Sequence, residues 1–434
     1  MSDAFKQIEL KLEKLASPGI VPGLARLHML LPLIGNPQKA FPAVHVVGTN
    51  GKGSTCAALS SIFTEAGYKT ALYTSPHLAS FGERLEIGGK RVSPEKWAEA
   101  AEKIQTALAA SKELQNDRPT YFELITAAAF FIIARENPDI AIVEAGLGGR
   151  LDATNTLENV LLSLITPIGV DHTDYLGETL AEIAAEKFAV VRKNTPAIFA
   201  GGEVPLEKQF KQTAYEKNAN PFLLLELCSV TRRKTGLDGT DFSIFWNAKQ
   251  KNLDLHTPLI GLFQPDNAAL ACCAAQLLQE RFPELNEDAI KKGVAKTRWE
   301  GRIEKAADNP VLIFDGAHNP HAMKKLAETL REIYPPGVLN IVFAAMADKD
   351  VRLMLDLMKG LSPTLYCTQV PDLARSMKAD SLAAAAQAHG LQTAGSFENP
   401  VDAIRAARAT GRPTVCCGSL YMIGWVKEHM DDER

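Results

Sequence analysis

Val44-His45-Val46-Val47-Gly48-Thr49-Asn50-Gly51-Lys52-Gly53-Ser54-Thr55 runs from an apolar, β-branched segment into glycines, a lysine and hydroxyls. Cys56-Ala57-Ala58-Leu59-Ser60-Ser61-Ile62-Phe63 follows and reads as a helix. Strand, glycine loop and helix in that order are the setting of a phosphate-binding loop. Glycines let backbone N–H groups approach a polyphosphate. The helix N-terminus adds partial positive charge and Lys52 a full one. A hydroxyl at Ser54 or Thr55 suits a magnesium ion. The usual loop ends Gly-Lys-Ser/Thr, whereas here Gly53 separates Lys52 from Ser54. A glycine-rich strand–helix turn without a ligand is the bland alternative. The expectation is a nucleotide, ATP above all.

Outward from the loop, strands and helices alternate. Strands are expected at 43–47, 69–74, 139–144, 160–166 and 196–200, and helices at 54–66, 94–110, 121–136 and 178–192. Residues 1–40 read as helical and amphipathic, and a further helix is expected at 265–280. This alternation predicts βαβ units and a mainly parallel sheet. Residues 221–256 differ, with short mixed runs such as Phe242-Ser243-Ile244-Phe245-Trp246 that predict antiparallel hairpins added to the sheet. The pattern breaks near Gly293 and Gly301, and a second alternating series fills the rest of the chain. The expected fold is α/β: a first domain over 1–296 with added antiparallel strands, and a smaller Rossmann-like α/β domain over 297–434. Small-molecule sites favour clefts between such domains, and closure on ligand binding is expected.

The composition excludes several classes. With 46% hydrophobic and 23% charged residues, the chain is an ordinary globular sequence long enough for two or three domains. A net charge of −4 leaves no electrostatic footprint for nucleic acid or an anionic membrane surface. No apolar run approaches the ~20 residues of a membrane span, and the first residues lack the apolar core of a signal peptide. The seven cysteines, including Cys272-Cys273 and Cys416-Cys417, show no Cys-x-x-Cys spacing, so neither a zinc site nor a disulfide framework is supported. A cytoplasmic protein is expected, with neither nucleic acid nor membrane as partner.

Acids recur where expected strands end. Asp139-Ile140-Ala141-Ile142-Val143-Glu144 delivers a carboxylate to a strand C-terminus, the edge where open α/β sheets bind ligands. A carboxylate there suits magnesium, a hard cation, and Asp152 is a weaker candidate of the same kind. Gly169-Val170-Asp171-His172-Thr173-Asp174 places a histidine between two acids after the next strand. Such acids orient a metal-bound imidazole, although a lone histidine is often structural. Phe314-Asp315-Gly316-Ala317-His318-Asn319-Pro320 repeats acid, glycine and imidazole in the second series. Arg302 stands on the link before it, and arginine's planar fork suits a phosphate. Lys187, in Ala184-Ala185-Glu186-Lys187-Phe188, reads as a solvated helix lysine.

Taken together these motifs resemble the folylpolyglutamate synthase family, within the wider group of Mur ligases. The resemblance runs from Gly23-Leu24-Ala25-Arg26 to Cys417-Gly418-Ser419 and includes Tyr73-Thr74-Ser75-Pro76-His77-Leu78. It implies an ATP-dependent carboxylate–amine ligase that adds L-glutamate to dihydropteroate and to reduced folates through an acyl phosphate. It implies ATP as co-substrate, a pair of magnesium ions, a monovalent cation as an optional further ion, and a monomer. On this chain the family's ATP loop falls on Thr49, Asn50, Gly51, Lys52, Gly53 and Ser54, and its metal ligands on Ser75, Glu144 and His172. Its carbamylated lysine falls on Lys187, its adenine-side asparagine on Asn267, and its further nucleotide contacts on Arg302, Asp315 and His318. Lys52, Glu144, His172 and Lys187 would be the catalytic set. Its pterin-binding segments fall on Thr120, Tyr121, Phe122 and Glu123 and on Leu151, Asp152 and Ala153. The chain departs from the family at Glu300, where proline often stands, and at Phe188-Ala189, where Ala-Gly usually follows the lysine. The competing readings are a Mur-type peptide ligase, a nucleotide-gated binding module and a simple phosphotransferase.

Overall fold

The computed structural model describes residues 2–430. Contacts divide the chain into two compact units: one holds residues up to Thr231 with Ser243–Leu255 and Asp266–Thr297, the other Arg232–Phe242, His256–Pro265 and the chain from Arg298 onward.

The first unit is built on an eight-stranded sheet. Its strands are β1 (Ala43–Val47), β2 (Thr70–Tyr73), β3 (Leu85–Ile87), β4 (Lys90–Arg91), β5 (Ile140–Glu144), β6 (Val160–Ile165), β7 (Pro196–Phe199) and β8 (Asn220–Leu223). They lie in the order β4-β3-β2-β5-β1-β6-β7-β8. Only β3 runs against the others, antiparallel to its neighbours β2 and β4. β1 and β5 are buried at every position, as expected of parallel strands covered on both faces by helices. The order sets β2, β5, β1 and β6 side by side, so the loops leaving their C-terminal ends are neighbours.

Helices occupy Lys52–Glu65, Pro94–Ala110, Tyr121–Glu136 and Gln264–Leu278, within a few residues of the expected spans. Two expectations are corrected. The helical N-terminal stretch is two helices, Ser2–Leu15 and Ala25–Leu33. The helix expected over 178–192 is Leu180–Phe188, because Val190 and Val191 turn into the core instead of continuing it.

Residues 221–256 also differ from expectation. β9 (Cys228–Gly236), β10 (Gly239–Trp246) and β11 (Lys251–Thr257) form a separate three-stranded sheet, while β8 alone joins the large sheet, in parallel. β11 alternates exposed and buried residues toward its end, the signature of a sheet with one solvated face.

The second unit carries β12 (Glu304–Asp308), β13 (Val311–Phe314), β14 (Asn340–Phe343), β15 (Thr364–Thr368), β16 (Gln392–Phe397) and β17 (Thr414–Cys417). Their order is β12-β13-β17-β14-β15-β16, parallel except for β12. Among the described residues no helix is long and apolar enough to cross a membrane.

The helix that follows the glycine loop is buried along most of its length, and the helix Glu287–Lys296 docks against it. Ser61 donates to the Gly293 carbonyl at 2.7 Å, and Lys296 pairs with Glu65. A Cβ on Gly293 would fall 2.4 Å from the Ile62 Cα and 2.6 Å from its nitrogen. Gly293→Ala is therefore expected to destabilise the protein by about 2 kcal/mol, since overpacking against backbone outweighs alanine's better helix propensity. A denaturant midpoint equal to or above that of the parent would contradict this.

Candidate active site

The glycine loop leaves β1 with Gly48 at φ +151° and Gly51 at φ +89°, both disfavoured for residues with a Cβ. The helix starts at Lys52 with Gly51 as its N-cap, so Gly53 lies inside the first turn. The first N–H groups of such a helix have no intrahelical acceptor. The loop is closely surrounded: a Cβ on Gly48 would sit 1.9 Å from Thr166 Oγ1, and one on Gly51 2.4 Å from Asn267 Oδ1. Asn267 is thus brought to the loop by the helix Gln264–Leu278. Thr49 is pinned to the segment after β6, its Oγ1 donating to the Gly169 carbonyl and accepting from the Gly169 N–H, each at 3.0 Å. Lys52 curls back, its Nζ donating to the carbonyls of Gly48 and Thr49 at 3.2 Å.

Lys187 is not solvated as its local sequence suggests. It is 4% exposed, and its Nζ donates to the Gly48 carbonyl at 2.9 Å. Gly149 allows this burial: a Cβ there would meet the Glu186 carbonyl at 2.6 Å and the Lys187 Cα at 3.0 Å. Burial first, and then the nearby Lys52 charge, push the Lys187 ammonium down to about 7.

Glu144 ends β5 and is buried at 4% exposure. Its Oε2 accepts the Ser75 N–H at 3.2 Å, and the Ser75 hydroxyl is buried with no hydrogen-bond partner. Thr55 and Thr166 carry buried, unpartnered hydroxyls of the same kind. Their position at the loop was the signal for Thr55, while Thr166 was missed; a polar residue closing an apolar strand is the mark that points to it. Unsatisfied hydroxyls beside a buried carboxylate fit a hard cation that takes oxygen ligands and keeps part of its water. Among the described residues no three His, Cys, Asp or Glu side chains converge as a metal cage. His172, with φ +52°, has its side chain 42% exposed, and its Nε2 lies 4.0 Å from Asp171 Oδ2.

The other expected residues divide by what their polar atoms already do. Thr120 and Glu123 form a capping box at the start of the helix Tyr121–Glu136, Glu123 Oε2 accepting the Thr120 N–H at 2.6 Å. The same oxygen accepts from Arg26 Nε at 3.0 Å, which the sequence reading did not foresee, and Oε1 is buried without a partner. Tyr121 donates to Glu9 at 2.7 Å, and the Phe122 ring closes over Gly146 in the turn after β5. Asp152 accepts from the Leu147 N–H at 2.7 Å, the Thr154 N–H at 3.0 Å and the Thr154 hydroxyl, which fixes that turn between the half-buried Leu151 and the buried Ala153.

In the second unit Asp315 is buried, and burial raises its carboxyl above the ordinary range despite the Arg302 charge. It accepts from Ile303 N–H at 2.9 Å and Ala317 N–H at 2.8 Å. His318 Nδ1 lies 2.8 Å from the Gly316 carbonyl, and Asn319 caps the helix Pro320–Ile333.

The sequence matches two family models: Mur ligase middle domain over residues 46–275, and Mur ligase, glutamate ligase domain over residues 301–419. The chain is 33% identical over 415 residues to a Bacillus subtilis (strain 168) protein named dihydrofolate synthase/folylpolyglutamate synthase, covering 95% of this chain and 96% of that one. Among solved structures it is similar to Mycobacterium tuberculosis folylpolyglutamate synthase complexed with ADP, with a TM-score of 0.89 and 29% identity over 99% of both chains. It is also similar to Escherichia coli FolC in complex with DHPP and ADP, with a TM-score of 0.85 and 31% identity, covering 98% of this chain and 97% of that one.

The depressed Lys187 has a consequence for stability. Its value of about 7 in the folded protein lies below the ordinary 10.5, so between those limits the unfolded chain binds more protons. This contribution to stability therefore rises with pH from about 7 to 10.5 and is absent below. In carbonate-free buffer, Lys187→Met is expected to flatten the rise of unfolding free energy across that window. Parallel pH profiles for the two proteins would show that Lys187 does not titrate there.

Proposed function

The chain belongs to the Mur ligase family, in the branch of the dihydrofolate synthase/folylpolyglutamate synthases, and on that premise we propose that it is an ATP-dependent ligase joining L-glutamate to dihydropteroate and to reduced folates. The observation that carries the reading is the buried, unpartnered Ser75 hydroxyl beside Glu144, one strand away from the glycine loop. The relatives' names, and the ADP and DHPP bound in their solved structures, support the substrate classes. The proposed division is an ATP-binding domain over 1–296 and a second α/β domain over 297–434; the break between compact units after Thr297 supports that boundary, whereas Arg232–Phe242 and His256–Pro265 group with the second unit.

A carboxylate is a poor electrophile at neutral pH. Phosphorylation by ATP gives an acyl phosphate, and the glutamate amine then displaces phosphate to form the amide. Thr49, Asn50, Gly51, Lys52, Gly53 and Ser54 cradle the ATP phosphates, with the helix N-terminus aimed at their charge. Asn267 lies on the adenine side, and Arg302, Asp315 and His318 complete the nucleotide contacts. Ser75, Glu144 and His172 would hold magnesium, which neutralises charge on the transferring phosphoryl group. Thr166 and Thr55 add hydroxyls near the loop.

Lys187 enters as its neutral amine, the form that adds carbon dioxide to give a carbamate. Its depressed basicity supports that state near neutral pH. Conversion from cation to carbamate removes the repulsion from Lys52. Thr120, Tyr121, Phe122, Glu123, Leu151, Asp152 and Ala153 form the pterin side. There the Phe122 ring offers a stacking face, and the unpartnered Glu123 Oε1 an acceptor for heterocycle N–H groups.

With ATP and magnesium, ADP release is expected to require both dihydropteroate and glutamate and to yield dihydrofolate. ADP release indifferent to glutamate would sink the ligase reading, and tetrahydrofolate in place of dihydropteroate tests the second activity. Glu144→Ala is expected to lower turnover at least about a hundredfold, because charge stabilisation by a bound metal is worth several kcal/mol. Near-normal turnover would remove Glu144 from the ligand set.

A further inference from the structure

Arg302 is held between two residues in left-handed conformations, Gly301 at φ +67° and Ile303 at φ +47°. For a β-branched residue this is a costly backbone state that persists only where its surroundings over-determine it. Two carboxylates do so. Asp315 Oδ2 accepts the Ile303 N–H at 2.9 Å, and Glu304 Oε2 accepts the Gly301 N–H at 2.7 Å. The Gly301 carbonyl is fixed in turn by the Gly316 N–H at 2.8 Å. A side chain at Gly316 would collide with Arg302 Nη1, at 2.3 Å from a Cβ there.

Asp315 is buried at the end of β13 and tied down by the Ala317 N–H. Glu304 is fixed from elsewhere. Lys427, on the helix Leu420–His429, donates to Glu304 at 2.8 Å and to Glu300 at 2.6 Å. Its side chain is only 5% exposed, against 26% for Glu304 and 51% for Glu300. Lysine is almost never buried unless paired, and here one ammonium grips carboxylates on both sides of Gly301-Arg302-Ile303.

We infer that Lys427 is a positioning residue for Arg302: by clamping Glu300 and Glu304 it orders the strained backbone that aims the guanidinium. The inference rests on the reading of Arg302 as a nucleotide contact. Without the ammonium, Glu304 gains by turning to water, the Gly301 N–H loses its acceptor, and the strain at Ile303 relaxes. Arg302 then reaches nucleotide from a mobile segment, and ordering it draws on binding energy.

The test compares steady-state KM values of Lys427→Met, Lys427→Arg, Glu304→Ala and Arg302→Ala with the parent, with thermal unfolding alongside. Lys427→Met is expected to raise KM for ATP about tenfold while leaving KM for dihydropteroate and glutamate within about twofold, as loss of one ground-state contact does. Lys427→Arg is expected to retain the parent values. Glu304→Ala keeps Lys427 paired with Glu300 and releases the Gly301 N–H, so it is expected to raise KM for ATP even if Lys427→Met does not fold. Lower thermal stability with unchanged KM for ATP in Glu304→Ala or in folded Lys427→Met would reduce the clamp to a structural tie and overturn the inference. If Arg302→Ala also leaves KM for ATP unchanged, the nucleotide role of Arg302 falls first and the inference with it. A raised value in Arg302→Ala alone overturns only the inference.

Discussion

The carbonyl of Gly48 accepts from two ammonium groups, Lys52 at 3.2 Å and Lys187 at 2.9 Å. That convergence is possible only because Gly48 has no side chain, since a Cβ there would overlap Thr166. Two cations on one neutral acceptor, one of them buried, repel in a medium that screens poorly. Burial above all, and this repulsion second, lower the proton affinity of Lys187. An anionic ligand at the loop would relieve the repulsion as well. The loop and the helix Leu180–Phe188 are therefore coupled through a single backbone oxygen.

Acids at strand ends are a repeated feature of this chain, but they do different work. Both oxygens of Asp152 and both of Asp315 accept backbone N–H groups, so these residues shape turns. Glu123 gives one oxygen to a capping box and to Arg26. At Glu144 the neighbouring hydroxyl is left without a partner. A buried polar atom without a partner costs about 1–3 kcal/mol, and a site that retains several of them around a phosphate loop is built for an occupant. On the proposed reading Ser75 and Glu144 serve the metal together with His172, and Asp315 also sets the conformation of the residues beside it.

The glycine loop, the parallel strands and most helices were legible in the sequence because their signals are local: period, flanking glycines and strand-end acids. What was not legible depends on contacts distant in the chain. Ala184-Ala185-Glu186-Lys187-Phe188 reads as a solvated helix until Gly149 brings the turn after β5 onto its backbone. Arg26 and Glu123 are separated by 97 positions, and nothing near either announces the pair. Lys427 looks like an ordinary last-turn lysine, and its two carboxylates lie more than 120 residues upstream. Antiparallel hairpins were expected over 221–256 as additions to the large sheet, but whether such strands join a sheet or make their own depends on which edges are open, and that is a tertiary property.

Gly53 separates Lys52 from the next hydroxyl, and the fold gives this departure a physical meaning. In the usual loop the residue after the lysine supplies a hydroxyl to the metal from the first helical turn. Here that position is a glycine already inside the helix, and the unpartnered hydroxyl that stands beside a buried carboxylate is Ser75, just beyond β2. β2 and β5 are paired neighbours, in register from Thr70 with Ile140 to Tyr73 with Val143, which is why Ser75 stands beside Glu144. On the proposed reading, metal position is set by the register of two parallel strands rather than by the winding of one helix. Strand register is stiff wherever both faces are buried, so on that reading the core of the sheet fixes the ion's place.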